Sequence, residues 1–259
     1  MKSTLNTICA IGLTCLMCLG VGCSDASAQT LDPATQTQFD VETGPVVTGR
    51  NDVRIPGRGG TLFSLKDDLS TKPKAHVRLR LIHTANKVHT TSLLYAPLRI
   101  ISEGIIDRDV RYNGTTFPAG TPLAATYQFN SYRLTYRYNW IHNSSLIVGL
   151  GVTAKIRDAN ITVASSKTSV DRPSFGLVPL PNFHFRWTPT RRWGFLFEGD
   201  AYAGPGGRAI DTQLVATHAL SDNWNIRSGY RVLDGGAGNQ RVYGFARFHY
   251  GVVGITYTM

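Results

Sequence analysis

Residues 130–138 read NSYRLTYRY. Tyr132, Leu134, Tyr136 and Tyr138 share one parity, and Ser131, Arg133, Thr135 and Arg137 share the other. A period of two is the signature of a β-strand, whose successive side chains point to opposite faces. The apolar face of such a strand has two candidate partners. In a water-soluble protein it packs on a core. In a closed membrane barrel it faces lipid, and the arginines turn into the lumen. One strand reads the same in both settings, so the rest of the chain decides.

The chain opens MKSTLNTICAIGLTCLMCLGVGCSDASAQT. Lys2 supplies a positive start, residues 8–21 are largely apolar, and Ala26, Ser27 and Ala28 form a small-x-small site before Gln29. This is the pattern of a secretory signal peptide cleaved after Ala28, and the apolar run is short for a membrane anchor. Lipidation at Cys23 is a second reading of the same leader, although Gly20 stands where a bulky aliphatic residue is usual. Cys9, Cys15, Cys18 and Cys23 are the four cysteines of the chain, and all lie in this leader. Export without later cysteines excludes a disulfide scaffold, thiol catalysis and cysteine metal sites. Beyond residue 28 no run approaches the roughly 18 apolar residues of a spanning helix. The mean hydropathy is −0.11. The expected organisation is a signal peptide (1–28), a short polar segment (29–38) and one large domain (39–259), either a periplasmic soluble domain or an outer-membrane β-barrel.

From residue 39 onward, apolar and polar residues alternate in bursts separated by turn residues. The pattern predicts ten strands, at 39–50, 75–84, 88–101, 124–138, 145–157, 175–187, 193–203, 210–219, 224–233 and 241–257. Several are about twice the five or six residues of an average globular strand, which suits a tilted membrane crossing. The connections 85–87, 139–144, 188–192 and 220–223 are short, whereas 51–74, 102–123, 158–174, 204–209 and 234–240 are mostly longer. Short periplasmic turns and longer outer loops are the outer-membrane arrangement. Trp140, Trp187, Trp193 and Trp224 all fall at or near the short turns, where an aromatic girdle would sit. At the C-terminus, Val253, Ile255, Tyr257 and Met259 share a parity, as in a terminal strand read by the barrel-insertion machinery. Arg247 and His249 fall on that same parity, so a bulge is expected near them. The predicted fold is therefore all-β: a single transmembrane antiparallel β-barrel of about ten strands, within a range of roughly eight to twelve. A soluble sandwich packed on its aromatic faces is the competing architecture.

Five stretches carry a resemblance: NDVRIPG (51–57), FNSYRLTYRY (129–138), TAKIRDA (153–159), GPGGRAID (204–211) and GYRVLDGG (229–236). Together they resemble an uncharacterised family of small outer-membrane beta-barrel proteins of Gram-negative bacteria. The resemblance implies compartment and a ten-strand barrel, and carries no substrate or catalytic residue.

Parity assigns a candidate lumen network: Arg133, Arg137, Lys155, Arg157, Arg186, Arg227 and Arg231 against Glu198, Asp200 and Asp211. The net charge is +10. Unpaired charges in a narrow barrel are costly, so the first reading is a salt-bridged plug with a structural or ligand- and lipid-interacting role. A narrow anion-favouring channel or transporter is the second. An outer-rim hydrolase acting on lipid or peptide is the third. For that reading, Asp158, Asp200, Asp211 and Asp234 are expected near the outer strand ends with His76. No nucleophile–base pair can be named, no HExxH spacing occurs, and GPGGRAID lacks a Walker lysine and reads as a tight outer turn. No catalytic or metal residue is assigned, and no cofactor is expected. Arg54, Arg58, Lys66, Lys72, Lys74, Arg108, Arg111, Lys167, Arg172 and Arg208 populate the outward loops, solvated or bridging phosphates of the outer leaflet. The expected partners are outer-membrane lipid or lipopolysaccharide and the insertion machinery. Export argues against nucleic acid despite the basic balance, and a monomer is expected.

Overall fold

Leu134 is 50% exposed and Arg133 beside it is 6% exposed. In the computed structural model, which describes residues 35–259, the opening stretch therefore turns its apolar face outward and its arginines inward. Leu79, Leu81, Leu93, Leu150, Val152, Leu214 and Val253 are exposed in the same way. A soluble sandwich would bury these side chains. An outward apolar belt of this extent needs lipid.

The strands in chain order are β1 (Gln36–Arg54), β2 (Phe63–Ser64), β3 (Ser70–Thr71), β4 (Lys74–Ala85), β5 (His89–Ala96), β6 (Arg99–Ile105), β7 (Val110–Tyr112), β8 (Thr115–Phe117), β9 (Pro122–His142), β10 (Leu146–Ala164), β11 (Ser169–Trp187), β12 (Trp193–Gly204), β13 (Gly207–Ala219), β14 (Trp224–Gly238) and β15 (Tyr243–Thr258). Each long strand is antiparallel to its neighbours, β15 pairs with β1, and β9 pairs with β10, so the sheet closes on itself. β5 and β6 pair with successive halves of β9 and form one stave, broken at Pro97 and Leu98 where proline offers no N–H. The result is a ten-stave antiparallel barrel. The leader, its cleavage site and Cys23 lie outside the described residues. β1 opens at Gln36, within the stretch expected to be a polar segment.

Three outer connections differ from expectation. Segments 158–174, 204–209 and 234–240 are not long loops. Their flanking strands run on past the apolar belt and close in tight turns at 165–168, 205–206 and 239–242. There Asn160 and Thr162 alternate with Ile161 and Val163, which pack into the cap, while Asp171 accepts from Asn160 and Thr162 across the hairpin. The bulge also moves. The register slips in β1, between Thr48 and Arg50, while β15 keeps its parity throughout. Arg247 and His249 consequently face outward. Arg247 donates to Asp234 at 2.6 Å, and His249 hydrogen-bonds the Tyr230 hydroxyl.

The two longest outer segments fold into a cap. Val53, Ile55, Phe63, Leu65, Val110, Tyr112, Phe117 and Val163 form one buried cluster. β7 and β8 make a hairpin whose turn residues, Asn113 (φ 46°) and Gly114 (φ 89°), both occupy the left-handed region, as a two-residue turn of this twist requires. The Tyr112 hydroxyl donates to the Ile161 carbonyl at 2.7 Å, and burial pushes its pKa up. Arg108 grips Asp68 through two hydrogen bonds of 3.0 and 2.8 Å and holds that carboxyl below the usual range, although burial opposes the shift.

The topology has a direct test. Ala119 lies exposed in the cap and Thr190 exposed in a short turn. A cysteine at Ala119 should react on intact cells with a membrane-impermeant thiol reagent, and a cysteine at Thr190 only after the outer membrane is opened. The reverse pattern would invert the barrel.

Candidate functional site

The inward positions change character along the barrel axis. Toward the short-turn end they carry long charged side chains. Toward the outer end they carry Ala159, Gly176, Ala209, Gly235 and Ala237. The first set fills the lumen, and the second leaves it open.

The filled half is a network of ion pairs. Arg133 donates from Nη1 to Asp200 Oδ2 at 2.6 Å and from Nη2 to Asp211. Arg231 donates from Nη2 to Asp211 Oδ2 at 2.7 Å and stacks on Tyr250, 4.4 Å from the ring centroid. Asp200 also accepts from Thr153 at 2.6 Å and Asn182 at 2.8 Å. Arg227 reaches Asp40 at 2.6 Å and Glu42 at 2.9 Å. Arg80 donates to Glu198 at 2.5 Å, and Glu198 is further held by Gln213 at 2.7 Å and His184 at 3.0 Å. All the carboxylates in this layer are buried and multiply bonded, the condition under which buried charge is tolerated. Above it Val46, Leu98, Leu233, Phe248 and Tyr250 form an apolar layer that parity alone does not reveal.

Of the ten candidate residues, Arg133, Glu198, Asp200, Asp211, Arg227 and Arg231 come together in this network. The other four stand apart. Arg137 donates to Asn139 at 3.0 Å and Arg157 to Ser174 at 3.0 Å. Lys155, Arg137, Arg157 and Arg186 make no ion pair among the described residues. Asp40, Glu42, Arg78, Arg80 and His76 belong to the lumen but are missing from the sequence-derived set. The signal for them exists: HVRLRL alternates as cleanly as the opening stretch, and Asp40 and Glu42 oppose Phe39 and Val41. None of the four aspartates named with His76 for the outer-rim reading is its hydrogen-bond partner among the described residues. His76 bonds the Gly44 carbonyl at 2.8 Å and Glu42 at 3.4 Å. Asp200 and Asp211 lie within the ion-pair layer, Asp158 accepts from Asn130, and Asp234 holds Arg208 and Arg247.

The open half is a vestibule of about 450 Å³, within the roughly 300–1,000 Å³ of small-molecule sites. Tyr127, Phe129, Val178 and Phe248 give it apolar walls. Lys155, Arg157, Arg172 and Arg208 bring positive charge to it, and Asp52 and Asp234, both already paired with arginines, bring negative charge. Lys155 is 4% exposed, makes no hydrogen bond or ion pair among the described residues, and holds its ammonium 4.8 Å from the Phe129 ring centroid. Such a cation–aromatic contact offsets only part of the cost of burying an ammonium.

An antiparallel closed wall, an apolar exterior, tryptophans at the short-turn end and a salt-bridged lumen define an outer-membrane β-barrel, a class placed in the membrane by the barrel-insertion machinery and surrounded by lipid. Among solved structures the chain is similar to the outer membrane protease OmpT from Escherichia coli, with a TM-score of 0.52 and 10% identity over 89% of this chain and 99% of that one. That likeness is one of fold. The translocator domain of the autotransporter NalP from Neisseria meningitidis gives a TM-score of 0.43 at 12% identity, over 88% of this chain and 90% of that one. The attachment invasion locus protein Ail of Yersinia pestis, in complex with the heparin analogue sucrose octasulfate, gives 0.40 at 11% identity, over 86% and 99%. No protein-family model matches the sequence, and no curated protein does.

Proposed function

We propose that this barrel binds an anionic ligand in its outer vestibule, above a lumen that its own ion pairs keep closed. The carrying observation is Lys155, a buried ammonium without an acidic partner that lines the cavity beside Arg157. A bound carboxylate or phosphate would supply the missing charge. The ion-pair layer beneath has no comparable deficit at Arg133, Arg227 or Arg231, and so serves the wall rather than a ligand.

Two measurements test this reading. Purified protein in a planar bilayer should show small or no steady conductance, and large stable steps would contradict a closed lumen. A soluble carboxylate such as hexanoate should bind in detergent solution. Lys155→Met should weaken that binding about tenfold to a hundredfold, the equivalent of a charge-assisted contact of roughly 1.5–3 kcal/mol. Undiminished binding in the variant overturns the assignment. The basic excess also supports a narrow anion-favouring channel as the second reading. Reversal potentials in a salt gradient separate it from a silent barrel.

A further inference from the structure

β11 registers with β10 along its whole length but with β12 only from Asn182 to Trp187. Its sequence explains why the second ladder stops. Pro173, Pro179 and Pro181 all fall on odd positions. In a strand, the N–H and C=O of one residue point to the same side, and those of the next point to the other. The N–H of Thr188 donates to Ser145 beside the start of β10, so even positions of this strand turn toward β10 and odd positions toward β12. The three prolines therefore strip donors from the single edge that faces β12. Beyond Asp200, β12 pairs only with β13. A seam without inter-strand pairing thus runs through the outer part of the wall between residues 178–181 of β11 and residues 201–204 of β12, and residues 169–177 of β11 run on beyond the end of β12.

The seam has an apolar outer flank on one side and the vestibule on the other. Phe175 and Leu177, outward-facing on β11 just beyond it, are 76% and 66% exposed and apolar. Val178 on one flank and Tyr202 on the other line the cavity inside. Open sheet edges are not tolerated against hydrocarbon, and unpaired backbone at membrane depth persists only where it is buried in protein or lines a cavity, as the inner side of this seam does.

We propose that this seam is a lateral portal, through which the apolar tail of a single-tailed anionic amphiphile extends from the vestibule into the outer leaflet while Lys155 and Arg157 hold its head inside. The inference rests on the vestibule reading and adds the ligand class and its route. A head-binding cation pair, aromatic walls and a gap with Phe175 and Leu177 just beyond it match the two ends of such a molecule.

Hexadecanoate carrying a photoreactive diazirine at its tail end, added to the protein in phosphatidylcholine nanodiscs, tests the portal. After irradiation, labelled peptides should concentrate at 175–181 and 201–203, several-fold above belt positions such as Leu93 and Leu150, and Lys155→Met should reduce that excess. Even labelling around the belt overturns the portal. Pro179→Thr combined with Pro181→Thr restores two donors to the edge and should cut seam labelling several-fold while hexanoate still binds from water. Should the double variant fail to fold, the wild-type label map decides alone. Hexanoate binding without seam labelling leaves the vestibule and removes the portal, whereas absence of both removes the vestibule reading as well.

Discussion

Asp211→Ala should lower the stability of the barrel more than any other single truncation in the lumen. Asp211 is 4% exposed and accepts hydrogen bonds from both Arg133 and Arg231. Without it Arg231 keeps only the Tyr250 ring, and Arg133 keeps Asp200 and Ser131. Removing one partner of a buried pair leaves an uncompensated charge and costs about 3–5 kcal/mol. The midpoint of thermal or denaturant unfolding in detergent should fall accordingly. Arg133→Ala should cost less, because Asp211 retains Arg231 and Asp200 retains Thr153 and Asn182. An unchanged midpoint for Asp211→Ala would show that the ion pairs do not hold the wall. Should Arg133→Ala fold normally yet abolish hexanoate binding, the ligand lies in the lumen's charged half and not in the vestibule.

Leu134→Arg should block insertion into the membrane. Leu134 registers with Leu93 on one side and Ala154 on the other, within the outward belt. An arginine on the lipid face costs about 2–4 kcal/mol near the midplane. The defect should appear as a loss of the heat-modifiable folded band in membranes and of surface labelling at Ala119→Cys. Arg133→Leu places no charge on lipid and should still reach the membrane, though with a weakened network. Normal insertion of Leu134→Arg together with failure of Arg133→Leu would mean that the two faces are reversed.

The face of each strand is legible in the amino-acid sequence alone, because parity is a local property. Tyr132, Leu134 and Tyr136 cannot share a side with Arg133 and Arg137 whatever the strand's neighbours are. Ten staves, the placement of the tryptophans and the short-turn end follow from the same alternation. Pairing is not local. Arg227 meets Asp40 across 187 residues of sequence, and that contact exists only because β15 closes against β1. The cap formed from the two longest outer segments, the split of the lumen into a filled and an open half, and the lack of an ion pair at Lys155 likewise depend on which strands lie opposite one another. The prolines of β11 mark the boundary between the two kinds of knowledge. Their common parity is written in the chain, but only the order of the staves shows that the edge they strip faces β12, beside residues that line the vestibule.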